Sequence, residues 1–270
     1  MEVLIVGISG RMGREIGKIV HNVCGMEIIG GIEKIGHPLI GHDVGEALGL
    51  LEITSANVFS NDETKPISNL LNGANVVIDF SNPESTIAMA ALASEKKVPM
   101  VIGTTGLTAE DLKYLKDCSK NIPILQSFNM SLGMNLLFSF VATAAKILAE
   151  YDAEILEKHH DQKKDAPSGS AIKLGQIIAE ARNNFFDEKA VYSRHGLIGV
   201  RVKNEIGIQT IRGGNIVGEH TVFFIGQEEI LEITHKAASR ILFARGAVEA
   251  AQWICGQVPG LYTMQDFLTR

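Results

Sequence analysis

The densest set of proton-exchanging side chains is Glu157 to Ala171, EKHHDQKKDAPSGSA. It holds the pair His159 and His160, Lys163, two aspartates and a Pro-Ser-Gly turn. Histidine is the side chain suited to proton transfer near neutral pH. A lysine ammonium supplies a proton or holds a carboxylate. On an extended chain Glu157 and His159 face one way and His160 the other. Adjacent histidines so arranged do not share a metal, and with no Cys cluster nearby no metal site is expected. Upstream, Ala153 to Leu156 reads as a short apolar strand; downstream, Ser170 to Ala181 reads as a helix. Ser168 is placed to cap that helix, and the N–H groups behind it form a cradle for a carboxylate. A solvated charged loop is the competing reading. The two histidines and the DAPSG turn favour an active site on a loop between rigid elements.

A proton donor of this kind needs a partner reaction, and the N-terminal region offers one. Glu2 to Val6 is a short apolar run, followed by Gly7-Ile8-Ser9-Gly10-Arg11-Met12-Gly13 and then by helical spacing of Ile16, Ile19, Val20 and Val23. The next apolar run, Met26 to Ile32, ends in Glu33, twenty residues after Gly13. Strand, glycine turn, helix, strand and acid is the pattern of a dinucleotide site. The glycines admit a pyrophosphate to the helix N-terminus, and the acid accepts hydrogen bonds from ribose hydroxyls. A plain βαβ unit without ligand is the alternative. Lys34 either attracts a 2′-phosphate together with Arg11 or is a surface lysine. His37 and His42 read as surface histidines in a Gly-rich loop.

Further along, strands at Asn75–Phe80, Val98–Ile102 and Ile122–Gln126 alternate with helices opened by Pro83 and Thr108. The turns Gly103-Thr104-Thr105-Gly106 and Ser127-Phe128-Asn129-Met130-Ser131 lie at strand ends, where open α/β sheets bind ligands. This alternation argues a parallel, doubly wound sheet. A long helix from about Ser131 to Tyr151 breaks the rhythm. After it, strands at Leu197–Val202, Gly207–Ile211, His220–Gly226 and Glu229–His235, linked as hairpins, argue an open mixed sheet in a second domain. The helix Ser239 to Cys255 returns to the first domain.

The 270 residues, 46% hydrophobic and 21% charged, suit two soluble domains. A net charge of −6 gives no footprint for nucleic acid. Cys24, Cys118 and Cys255 form neither a disulfide framework nor a metal spacing, which suits a reducing cytosol. The chain opens on a strand, leaving no room for a signal peptide, and no uninterrupted apolar run is long enough for a membrane span. A cytoplasmic location is expected, with a small-molecule ligand rather than nucleic acid or membrane.

GISGRMG (Gly7–Gly13), IDFSNPE (Ile78–Glu84), GTTG (Gly103–Gly106), FNMSLGMN (Phe128–Asn135) and EKHHDQKKDAPSGSA together resemble one family, in that family's order. It is 4-hydroxy-tetrahydrodipicolinate reductase, also called dihydrodipicolinate reductase, of lysine and diaminopimelate biosynthesis. The resemblance implies a Rossmann domain over residues 1–129 and 241–270, and a substrate-binding and oligomerisation domain, α+β with an open mixed sheet, over 130–240. It implies NADPH or NADH as hydride donor, reduction of a cyclic imine dicarboxylate with loss of water, and a homotetramer. By the same resemblance His159 and Lys163 are proton donors, His160 contacts substrate, and Gly169 with Ser170 binds a substrate carboxylate. Ser170 stands where the family usually has Thr, keeping the hydroxyl. Cofactor contacts fall on Gly7, Ile8, Ser9, Gly10, Arg11, Met12, Glu33, Lys34, Gly103, Thr104, Thr105, Ser127, Phe128, Asn129 and Met130. Many members carry Arg where Lys34 stands, and Lys lacks the planar fork.

Two other classes compete. One is a different Rossmann oxidoreductase of amino-acid metabolism, such as an aspartate or homoserine-type dehydrogenase; an active-site Cys in a strand-end turn would support its semialdehyde branch, whereas Cys118 falls inside a helix. A non-catalytic nucleotide sensor would keep the glycine turn and need no HHxxK cluster.

Overall fold

Apolar runs without polar alternation belong to strands covered on both faces, and the first half of the chain is built from them. In the computed structural model, which describes residues 1–270, it runs β1 (Glu2–Val6), α1 (Arg11–Asn22), β2 (Glu27–Glu33), α2 (Val44–Leu48), β3 (Val58–Ser60), α3 (Thr64–Leu71), β4 (Val76–Asp79), α4 (Pro83–Lys96), β5 (Met100–Ile102), α5 (Ala109–Cys118) and β6 (Pro123–Gln126). There follow α6 (Leu132–Ile147), β7 (Asp152–His159), α7 (Gly169–Ala181), α8 (Phe186–Lys189), β8 (Ala190–Val191), β9 (Ile206–Arg212), β10 (Gly218–Ile225) and β11 (Ile230–Ala237). The chain closes with α9 (Ile241–Ile254), β12 (Gly260–Tyr262) and α10 (Met264–Leu268). Two compact units result: Met1–Leu132 with Ile241–Arg270, and Gly133–Arg240.

The first unit carries a seven-stranded sheet in the order β12-β6-β5-β4-β1-β2-β3, parallel throughout. Alternate residues of β1 show why it is buried on both sides. Val3 and Ile5 pack with α1, α2, α9 and α10, while Leu4 and Val6 pack with α3, α4 and α5. Local chemistry starts the helices where the sequence suggests. Asn82 accepts the Ser85 N–H just ahead of Pro83, and Thr108 and Asp111 cap each other reciprocally. Caps of this kind each contribute about 1 kcal/mol. The chain order reverses between β1 and β4, which places a topological switch point beside the glycine turn.

The second unit is a mixed five-stranded sheet, β11-β10-β7-β9-β8. The central strand β7 runs parallel to β9 and antiparallel to β10. One face is covered by α6 and α7, whose Leu137, Phe138, Val141, Leu174 and Ile178 meet Ile155, Ile208, Val222 and Phe224.

Two sequence expectations are corrected here. Leu197–Val202 is not a strand. Gly196 and Gly199 both have φ of 73°, which breaks the pleat, and Leu197 and Val200 stand in solvent. Arg194 and Arg201 clamp this segment to Glu154 as a loop, Arg194 through two bonds of 2.9 Å. Nor do β9 and β10 form a hairpin across Gly213-Gly214, because β7 lies between them; only β10 and β11 do, through Gln227-Glu228. The short elements β3, α3, β8, β12 and α10 carried too little periodicity to be read in advance.

Candidate active site

Each unit presents one cluster of functional residues, built in a different way. In the first unit, Gly7 follows β1 with φ of 77°, a conformation that favours glycine. A Cβ on Gly13 would sit 2.0 Å from the Gly7 carbonyl oxygen, so only glycine lets α1 approach the turn. Helix α1 has Gly10 at its N-cap and no side-chain cap. Its first N–H groups therefore point, with the positive end of the helix dipole, at the space above the turn.

That space is part of a cavity of about 410 Å³, walled by Gly10 to Met12, Phe80, Ser81, Gly103 to Thr105, Phe128 to Met130 and Phe243. The walls are strand-end turns of β1, β4, β5 and β6. Asp79, fully buried at the end of β4, fixes two of them. Its Oδ1 accepts from the Ser81 hydroxyl at 2.6 Å and from the Thr104 hydroxyl at 3.2 Å. Burial pushes the Asp79 carboxyl above its usual range, against the pull of those hydroxyls. Ser127 Oγ donates to the Asn129 carbonyl at 2.8 Å, holding the β6 turn. Gly246 of α9 admits the Met130 carbonyl, which a Cβ would meet at 1.9 Å.

At the far side of the glycine turn, Glu33 Oε1 accepts from the Ser9 N–H at 2.7 Å and from its hydroxyl at 2.6 Å. His37 Nε2 lies 3.1 Å from the same Ser9 oxygen, and its Nδ1 accepts from the Leu39 N–H, so His37 carries its proton on Nε2. His37 thus joins this cluster, although its sequence surroundings read as plain surface. Lys34 is exposed beside it. An uncapped helix N-terminus, a turn only glycine can make and an acid at the second strand end fit a dinucleotide.

In the second unit the cluster is made of side chains. Strand β7 alternates, so Glu157 and His159 share its buried side. Glu157 is fully buried, and His159 is 9% exposed. His159 Nδ1 lies 2.6 Å from Glu157 Oε2. Arg212 of β9 forks onto both Glu157 oxygens at 2.8 Å each. Oε1 also accepts the Ser168 N–H at 3.0 Å and the Thr210 hydroxyl at 3.1 Å. Burial alone would raise the Glu157 pKa; the bonds from His159, Arg212 and Ser168 outweigh it and hold it at about 2.

His220 of β10 packs edge-on against His159, ring centroids 5.2 Å apart. Ser168 Oγ meets its Nε2 at 2.9 Å. Burial, aided by the neighbouring His159, lowers its pKa to about 3. Ser168 caps α7 by accepting the Ala171 N–H, which leaves Gly169 and Ser170 in the first helical turn. A Cβ on Gly169 would meet nothing within 4 Å, so the space there is open. His160, facing the other way from His159, has Nε2 3.3 Å from Arg240 Nη2. Lys163 pairs with Asp165 at 2.9 Å, and that ammonium is the first cause holding the Asp165 carboxyl below its usual range.

His159, His160, Lys163, Gly169 and Ser170 therefore lie along one strand end, its loop and the helix that follows. Arg212, Thr210, Gly218 and His220 escaped sequence reasoning. They come from strands more than fifty residues downstream of Glu157, and nothing local to them signals a partner. No group of three or more His, Cys, Asp or Glu side chains is arranged to hold a metal. No helix is long and apolar enough to cross a membrane.

A doubly wound parallel sheet with a glycine turn, joined to a mixed sheet carrying an acid-base cluster, defines the class: a pyridine-nucleotide-dependent oxidoreductase. Family models described as dihydrodipicolinate reductase, N-terminus and C-terminus, match residues 1–130 and 133–268. The chain belongs to the dihydrodipicolinate reductase family. It is 42% identical over 271 residues to the 4-hydroxy-tetrahydrodipicolinate reductase of Geotalea uraniireducens, covering 99% of this chain and 98% of that one. It is 43% identical over 269 residues to the same enzyme of Syntrophus aciditrophicus, with the same coverage. Among solved structures, the dipicolinate-bound dihydrodipicolinate reductase from Paenisporosarcina sp. TG-14 superposes with a TM-score of 0.77 at 26% identity, over 97% of both chains. A myo-inositol dehydrogenase from Corynebacterium glutamicum, 12% identical with a TM-score of 0.56, shares the fold alone; 96% of this chain and 90% of that one are covered.

Proposed function

We propose that this protein reduces 4-hydroxy-tetrahydrodipicolinate to tetrahydrodipicolinate, with loss of water, in lysine and diaminopimelate biosynthesis. The observation that carries the reading is His159, bonded through Nδ1 to a buried carboxylate, on the strand that leads into the N-terminus of α7. Hydrogen-bond donors for a carboxylate and a proton donor thus occupy one loop.

A reduced nicotinamide dinucleotide, when bound by the first unit, supplies the hydride. The turn Gly7 to Met12 would take the pyrophosphate, and Glu33 the adenosine ribose. Gly103 to Thr105 and Ser127 to Met130 would line the nicotinamide. Lys34, one exposed cation beside an acid, gives a 2′-phosphate a weak contact, so NADH and NADPH would both bind within about an order of magnitude.

In the second unit, the first-turn backbone of Gly169 and Ser170 would hold one substrate carboxylate with the help of the helix dipole. His160 would add a contact. The ring loses its hydroxyl as water and receives hydride on carbon. The adjacent carbon then takes a proton from His159 or Lys163. Nucleotide, imine and one proton are consumed; oxidised nucleotide, product and water leave.

The uncovered face of the second sheet, with Ile211 and Ile230 each more than 40% exposed, suits pairing with further copies as a homotetramer. A monomer in sedimentation would contradict that assembly. The function is tested by following reduced nucleotide with freshly generated substrate: stoichiometric oxidation supports it, and none would refute it.

A further inference from the structure

The proton chemistry above leaves open which atom of His159 acts and what decides it. We propose that Glu157 is a positioning residue: it fixes His159 with the proton on Nδ1, leaving Nε2 as the atom that exchanges protons, and Arg212 locks Glu157 in that role. The inference rests on the proposed reduction and concerns one step of it.

Hydrogen-bond bookkeeping carries the inference. Glu157 Oε2 receives His159 Nδ1 and Arg212 Nη1; Oε1 receives Arg212 Nη2, the Ser168 N–H and the Thr210 hydroxyl. An ionised carboxylate only accepts. At 2.6 Å, Nδ1 must therefore be the donor, and in the neutral ring Nε2 is left with the lone pair. Arg212 Nη2 also donates to the Asp165 carbonyl at 2.7 Å, which ties the carboxylate's clamp to the HHxxK loop.

A second observation concerns the other end of the ring. Gly218 is not among the glycines with positive φ, so its backbone does not require glycine. A Cβ there would lie 3.0 Å from His159 Nε2 and 3.3 Å from Cδ2. The missing side chain keeps the working nitrogen clear. The groups facing His159 are then Glu157 on its own strand, Arg212 through Glu157 from β9, and His220 from β10, a ring that burial keeps uncharged. Nothing in that set offers Nδ1 a different acceptor.

The test combines kinetics with histidine ¹⁵N spectra of the full chain, His159 being assigned by its absence from His159→Gln. Wild type should show a His159 protonated on Nδ1, and Glu157→Gln should populate the other tautomer. Glu157→Gln should lower kcat roughly 10- to 1000-fold. KM and nucleotide Kd should stay within about threefold, because Glu157 touches neither ligand. In a His159→Gln background the same change should cost less than about twofold, since residues acting as a unit are not additive. Arg212→Lys, which keeps the charge and loses the fork, should give a smaller loss of the same kind and serves if Glu157→Gln does not fold. Gly218→Ala should lower kcat with the tautomer unchanged.

A wild-type His159 protonated on Nε2 alone would overturn the proposal. So would an undiminished kcat in Glu157→Gln, or equal losses in the presence and absence of His159, which mark a merely structural ion cluster. If wild type turns over no substrate, the proposed function fails, and the spectra still decide the role of Glu157.

Discussion

The two functional regions of this chain solve their problems with different materials. The glycine turn is made of backbone: glycines at 7, 10 and 13, an uncapped helix end, and small hydroxyls pinned by Asp79. The HHxxK region is made of side chains, ordered by one buried carboxylate that receives five hydrogen bonds from two strands and a loop. Backbone recognition tolerates changes of side chain but not of shape. Side-chain recognition tolerates small changes of shape but not of charge. Perturbing each region in the other's currency should show the difference.

The largest effect is expected where a single proton donor is removed. His159→Gln or Lys163→Ala should each lower turnover about a hundred- to ten-thousandfold, the usual worth of general acid catalysis. Nucleotide affinity should barely move, because both residues lie in the second unit. Steady-state rates alongside nucleotide titrations check this, and loss of nucleotide binding would place the loop in the wrong site.

Charge should matter next through stability in acid. The Glu157 pKa is about 2 in the folded protein, against 4.5 ordinarily. Its contribution, on the order of 3 kcal/mol, is full above about pH 4.5 and lost as pH falls toward 2. His220 adds the same sign over a higher window. Its folded pKa is about 3 against 6.5, so its neutral burial stabilises fully above pH 6.5, and that stability is lost as pH falls toward 3. Urea midpoints should therefore decline from about pH 6.5 downward and more steeply below 4.5. In His220→Gln the decline between pH 6.5 and 4.5 should become shallower, with His235, also lowered by burial, keeping part of it; an unchanged slope there would remove His220 from the account.

Shape is the matching test for the first unit. Gly13→Ala would force a methyl toward the Gly7 carbonyl, 2.0 Å from the ideal Cβ position. It should weaken either nucleotide about tenfold or more, since the turn must open and its N–H groups lose their aim. Isothermal titration measures it, and retained affinity would mean that the pyrophosphate lies elsewhere. The smallest effect belongs to Lys34→Ala, which should shift the ratio of NADPH to NADH affinity by only about fivefold, as an exposed ion pair allows. A shift of several hundredfold would make Lys34 the main reader of the 2′-phosphate.

The same contrast explains what was legible in the sequence. Glycines at fixed spacing after an apolar run mean a particular backbone shape, and Gly7, Gly10, Gly13 and Glu33 could be read locally. The HHxxK motif was equally visible, because its groups lie within one short stretch. Its support was not. Arg212 sits 55 residues from Glu157 and meets it only because β9 pairs with β7 in register, Glu157 opposite Thr210. Gly218 looks like any turn glycine until the neighbouring ring is seen. Leu197–Val202 misled for a related reason: an apolar run implies burial, but these residues are held in a loop by Arg194 and Arg201 and face outward.

The most direct test of the central claim is the rate of reduced-nucleotide consumption with freshly generated 4-hydroxy-tetrahydrodipicolinate, measured for wild type and His159→Gln at matched nucleotide saturation. The account predicts stoichiometric, substrate-dependent oxidation by wild type and a loss of at least about a hundredfold in the variant. Equal rates in the two proteins, or no oxidation by wild type, would contradict it.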